Sequence, residues 1–198
     1  MNQPSNQPDQ SPERPSVRQI QEELFRIETK NEIGKSVSGA VKTLVVIAAA
    51  AVLIANLLIA VLSVSRSSMS PMLEDGDVVV AVRFGAVKPG DIVAFHYNNK
   101  ILVKRVIAQA NDWVSIDEDG TVYVNSEPLE EPYLAEKNLG DCDIEFPFQV
   151  PDGCIFVMGD QRVTSSDSRQ SEIGAIKTDL IVGKIYVRVW PLPKIKLF

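Results

Sequence analysis

The chain has 198 residues, 45% of them hydrophobic and 23% charged, which leaves room for one domain of ordinary size with appendages. Its net charge of -6 argues against a nucleic-acid partner, because proteins that neutralise phosphates present a basic face. One histidine, His96, and two cysteines, Cys142 and Cys154, in no CxxC pair, are too few for a Cys/His zinc site; the two thiols are compatible with a disulfide or with free cysteines.

The first elements differ sharply in composition. Residues 1–17 are rich in Pro, Gln, Ser and Asn and hold too little apolar surface to offset ordering entropy, so disorder is expected. Over 18–35, Ile20, Leu24 and Ile27 recur at helical spacing and predict a short amphipathic helix. Residues 44–64 carry no charge, and only Asn56 and Ser63 are polar. About 20 such residues cross a hydrocarbon core. A core helix would keep a polar stripe, and a cleavable signal has a shorter apolar core behind a short leader, so a retained span is expected. Lys30, Lys35 and Lys42 precede it, while Arg66 and then the acidic Glu74, Asp75 and Asp77 follow. That bias puts the N-terminus in the cytoplasm.

From residue 65 the pattern changes to short Val- and Ile-rich runs separated by turn residues. Strands are expected at Val78–Val82, Ile92–Phe95, Ile101–Ile107, Trp113–Ile116, Thr121–Val124, Ile155–Met158 and Ile181–Trp190. Asn98-Asn99 and Asp119-Gly120 mark hairpins. The fold expected is mainly β: a curled, antiparallel or barrel-like domain behind one N-terminal transmembrane helix.

The residues offer two routes to nucleophilic catalysis. His96, in a strand pattern beside Tyr97, gives a Ser-His-Asp triad little support. The other route is a serine activated by a lysine that burial keeps neutral. Lys104 stands between Val103 and Arg105 in an otherwise apolar strand, so each face of that strand carries one cation. An edge strand with snorkelling side chains is the plainer explanation from the residues alone. The stretch 64–73, five of whose residues are small or turn-prone, contains Ser68 and could expose a hydroxyl, though on the residues alone a polar linker between span and domain is the better reading.

Four boxes and a closing segment together carry a family likeness. Ser68-Met69-Ser70-Pro71 resembles the nucleophile box of type I signal peptidases, placed after an N-terminal anchor. Gly90-Asp91-Ile92-Val93 resembles their Gly-Asp-Ile-Val box, and Lys104-Arg105-Val106-Ile107 their lysine box. The stretch from Gly159-Asp160-Gln161-Arg162 to Ser165-Ser166-Asp167-Ser168-Arg169 resembles their Gly-Asp-Asn-Arg to Ser-x-Asp-Ser-Arg box. Gly183 to Leu192 is similar to their closing segment.

The resemblance implies a serine endopeptidase that removes signal peptides after a small-x-small motif, with no cofactor and no metal. Ser68 would be the nucleophile and Lys104 the general base, with Ser165 orienting the lysine. Arg105, Asp160, Arg162, Asp167 and Arg169 would form a structural network below them. Met69, Leu73, Leu102 and Val103 would wall the substrate pockets. Residues 1–35 would be cytoplasmic, 36–64 the anchor around the apolar span 44–64, and 65–198 an extracytoplasmic catalytic domain. Signal peptides and the lipid bilayer would be the partners. Arg66, Met72, Gln161 and the segment 108–112 depart from the family pattern, though Asn111 can take the left-handed turn a glycine would. These departures leave room for a second reading, a membrane-tethered binding or scaffold protein. A self-cleaving repressor with the same chemistry fits less well, given the span and the lack of a basic DNA-reading segment.

Overall fold

The computed structural model describes residues 16–198, so the stretch expected to be disordered lies almost wholly outside the described residues. Helix α1 (Val17–Leu58) joins the amphipathic stretch and most of the apolar run in one element. Its described side chains are exposed on all sides. The segment Ser36–Leu58, with mean hydropathy 2.3, is long and apolar enough to cross a membrane.

The apolar run does not stay helical to its end. Ile59–Ser63 forms strand β1, which pairs antiparallel with β2 (Val78–Val82). Ala60 and, just past the strand, Val64 turn into the core, while Val61 points out. An apolar run read by composition alone cannot separate a helix from a buried strand, and here one run serves both.

By contacts the chain divides into two compact units, one ending at Leu53 and one spanning Ile54–Phe198. The second is the β domain. Its further strands are β3 (Ile92–Tyr97), β4 (Lys100–Ala108), β5 (Trp113–Ile116), β6 (Val122–Val124), β7 (Glu127–Pro128), β8 (Phe148–Gln149), β9 (Cys154–Met158), β10 (Ile176–Lys177), β11 (Ile181–Trp190) and β12 (Lys196–Leu197). The main sheet runs β1-β2-β11-β3-β4-β9-β10, with β12 on β11; a smaller sheet runs β7-β6-β5-β8. Every pairing is antiparallel. The path of the main sheet is open, so it stops short of a closed barrel.

Turn chemistry sets the registers. Asn98 and Asn99 both have positive φ, 42° and 61°, as the two-residue turn that matches strand twist requires, and β3 pairs with β4 from Tyr97 and Lys100 onward. Asn111 takes φ 72°, as expected of it. Strand β4 runs through the junction of three apolar clusters: Val103 packs on the one around Leu73 and Ile185, Val106 belongs to that of Phe95 and Val157, and Ile107 to that of Val114 and Phe156. Side chains on both faces of β4 therefore meet protein, and Lys104 and Arg105 are buried rather than snorkelling from an edge.

Candidate active site

Lys104 is 3% exposed, and its Nζ donates to Ser165 Oγ at 2.9 Å. Burial is the main force on its ammonium and lowers its pKa from 10.5 to about 8. Asp167 and Asp160 push the value back up, while the charges of Arg169 and Arg66 reinforce the lowering. Lys104 shares a cavity of about 1010 Å³ with Ser68, and Met69, Leu102 and Val103 line the same cavity. A hydroxyl and a readily neutralised amine in one groove are the parts of an acyl-transfer site that needs no imidazole. His96 is exposed and does not line it.

The segment holding Ser68 is docked by backbone. The Gln161 N–H donates to the Ser68 carbonyl at 3.0 Å. Gly159 makes this approach possible, because a Cβ there would collide with the Ser68 carbonyl and with Ser165 Oγ. The substitution at Gln161 thus leaves intact a contact that uses only its main chain. Met72 uses its carbonyl, which accepts from Arg188 Nη1 at 3.1 Å, and its side chain packs on the first apolar cluster.

Below the cavity the expected network resolves into separate ion pairs. Arg105 is bidentate to Asp160, at 2.8 and 2.7 Å, and also donates to the Gly90 carbonyl at 2.8 Å. Burial raises the Asp160 carboxyl, against the pull of Arg105. Arg169 is bidentate to Asp167, at 2.8 Å through both nitrogens, and Asp167 also accepts the Gly159 N–H at 2.9 Å. Burial pushes the Asp167 carboxyl up, but the hydrogen bonds and charge of Arg169, the Gly159 N–H and the Ser165 hydroxyl together bring it below its ordinary value. Arg162 pairs with Glu131 and donates to the Gly159 carbonyl at 3.1 Å.

Some placements differ from the sequence reading. Leu73, expected on a pocket wall, is wholly buried in the first apolar cluster and is not among the residues lining the cavity. Leu62, Val64 and Ile101 line it instead. Glu131, and Tyr133 whose ring lies 3.8 Å from the Arg105 guanidinium carbon, were missed, because they come from an irregular segment with no periodic signal. Cys142 and Cys154 are free thiols. Among the described residues no cluster of His, Cys, Asp and Glu is arranged to hold a metal ion.

Comparison with known proteins gives the same direction. Residues 37–190 match the family described as signal peptidase, peptidase S26. The chain is 39% identical over 144 residues to signal peptidase I of Bacillus caldolyticus, covering 65% of this chain and 78% of that protein. It is 37% identical over 155 residues to signal peptidase IB of Staphylococcus aureus strain COL, covering 68% and 79%. A solved signal peptidase I from Enterococcus faecalis V583 aligns at 29% identity and a TM-score of 0.45, over 51% of this chain and 97% of that one. With most of its length matched, the chain belongs to the signal peptidase, peptidase S26 family.

Proposed function

We propose that this serine endopeptidase cuts signal peptides from exported preproteins after a small-x-small motif, with Ser68 as nucleophile and Lys104 as general base. The observation that carries the assignment is the buried amine: Lys104 is the buried lysine of the cavity that holds Ser68, and burial is the main force that makes it a base near neutral pH. Neutral Lys104 takes the Ser68 proton as Oγ attacks the scissile carbonyl. The resulting ammonium gives that proton to the leaving amine. Water, activated by the same lysine, then releases the acyl group and restores Ser68. The Ser68 backbone N–H supports the oxyanion; one such donor is typically worth about 10²–10³ in rate.

Two predictions follow from these roles. First, kcat/KM tracks the neutral fraction of Lys104. It falls about tenfold per pH unit below about 8 and levels above it, as a pH–rate series on one preprotein would show. A flat profile between pH 6 and 9 would exclude Lys104 as the base. Second, Ser165→Ala removes the acceptor that fixes Nζ. A hydrogen bond to a charged group contributes about 1.5–3 kcal/mol, so kcat should drop about 10–100-fold with little change in KM.

The substrate reading draws support from the strand edges. Among the described residues β1 ends the main sheet, with no strand on its outer edge. β4 pairs with β9 only from Arg105 onward, which leaves the stretch before it open on that side. Both edges border the cavity, so an extended peptide can add to them while small side chains reach Met69, Leu102 and Val103.

The bilayer is the proposed second partner. Over Ser36–Leu58 α1 is apolar, and its described side chains are exposed, which suits lipid. We assign residues 1–35 to the cytoplasm and 65–198 to the outer side, on the flanking cations. The anchor region 36–64 then comprises a helical span closing at Leu58 and strand β1. A substrate and an enzyme held in one membrane meet at high effective concentration.

A further inference from the structure

The protein as a whole is acidic, at -6, yet the charged side chains lining the Ser68 cavity are Arg66, Lys100 and Lys104 against Glu172 alone. The four are not spread evenly. Glu172 belongs to the end of the cavity where its carbonyl accepts from Tyr97 Oη at 3.1 Å, and Lys100 opens β4 beside it. From Lys100 to Lys104 a strand advances about 13 Å. That far end carries one cation and one carboxylate. At the nucleophile end the one carboxylate recorded on Arg66 is that of Asp75, which the backbone N–H holds; among the described residues, no ion pair includes the Arg66 guanidinium.

Arg66 is also held in place. Its φ is 76°, a left-handed conformation that costs a residue with a Cβ, and its backbone N–H donates to Asp75 Oδ1 at 2.7 Å. An arginine kept in a strained turn two positions before Ser68, exposed at the cavity and near enough for its charge to act on Lys104, is placed to meet the substrate.

Resting on the reading of this groove as a signal-peptide site, we propose that Arg66 selects substrates carrying a carboxylate next to the scissile bond. In an extended peptide the side chains one and three residues before the cut enter the pockets. Those two before it and just after it alternate to the other side, toward the rim where an exposed guanidinium lies. A Glu or Asp at either rim position meets Arg66; one placed four or five residues upstream meets Lys100 and Glu172 together and gains nothing.

The test uses the full chain in detergent micelles and one cleavable small-x-small peptide, made with Glu or Gln at each of three positions: two before the cut, just after it, and five before it. An exposed pair contributes up to about 1 kcal/mol, so the wild type should favour Glu over Gln by about 5-fold in kcat/KM at one or both rim positions and not at the distal one. The preference should shrink in 0.5 M salt, vanish in Arg66→Gln and persist in Arg66→Lys. Because each ratio is taken within one enzyme, a partly folded variant does not distort it, and the wild-type ratio with its salt dependence stands by itself. A ratio near 1 at both rim positions, or one unchanged in Arg66→Gln, overturns the proposal while leaving the peptidase reading intact. Failure of the wild type to cut any of the peptides overturns both.

Discussion

Lys104→Met should give a protein that is folded, inactive and more stable than the wild type at pH 7, if Lys104 is the base proposed above. Activity is lost because the base is gone; removing one member of a nucleophile–base pair lowers kcat by on the order of 10⁴ or more. Stability rises because the wild-type lysine is held against its preference. Its pKa falls from 10.5 unfolded to about 8 folded, and each unit is 1.36 kcal/mol, so charging it in place costs about 3 kcal/mol at neutral pH. Met fills similar space without a charge and forfeits the Ser165 hydrogen bond to the charged amine, worth about 1.5–3 kcal/mol, for a net gain of about 1 kcal/mol. The sign can be read from pH. Between about 8 and 10.5 the unfolded chain binds a proton the native one does not, so wild-type stability climbs with pH and the advantage of the variant closes. Urea titrations at pH 7 and pH 10 measure both points. A variant less stable than wild type at pH 7 would mean that burial of the amine carries no such penalty.

Asp167→Ala has the largest expected effect on folding, a loss of about 3–5 kcal/mol. Asp167 and Arg169 are both fully buried, and the carboxylate takes two hydrogen bonds from the guanidinium and one from Gly159. Removing it strands a buried charge beside Lys104 and frees the turn that Ser165 and Gly159 use to hold the lysine and the Ser68 segment. Asp167→Asn should fall between, because its amide oxygen can still accept. Breaking the exposed Lys194–Glu74 pair, 49% and 51% accessible, should cost under about 1 kcal/mol and serves as the control. Equal losses in thermal or urea unfolding would contradict the role given to burial.

The sequence made the strands legible where the period was strong. Val78–Val82, Trp113–Ile116 and Ile181–Trp190 have the limits expected of them, since β-branched runs bounded by turn residues leave little choice. The two-residue strands β7, β8, β10 and β12 are too short to carry a period and went unseen. β1 was absorbed into the membrane run, because hydropathy marks burial without saying whether lipid or a sheet provides it.

At the site, local pattern placed Lys104 and Arg105 on opposite faces of one strand but could not say that both faces are covered; that depends on β9 and on the segment from Gly159 to Arg169, far along the chain. The likeness to a family supplied Ser165 and Asp167. It could not supply Glu131 and Tyr133, which reach Arg162 and Arg105 from an irregular segment with no motif. Leu73 shows the converse. Its motif position suggested a pocket wall, and packing carried it into the core.

The most direct test of the central claim is cleavage of a purified preprotein by the full chain in detergent, with the product's new N-terminus sequenced, beside a folded Ser68→Ala variant. The wild type should make a single cut after a small-x-small motif, and Ser68→Ala none at the same concentration. Cleavage that survives in Ser68→Ala, or a folded wild type that leaves several such preproteins intact, would contradict that claim.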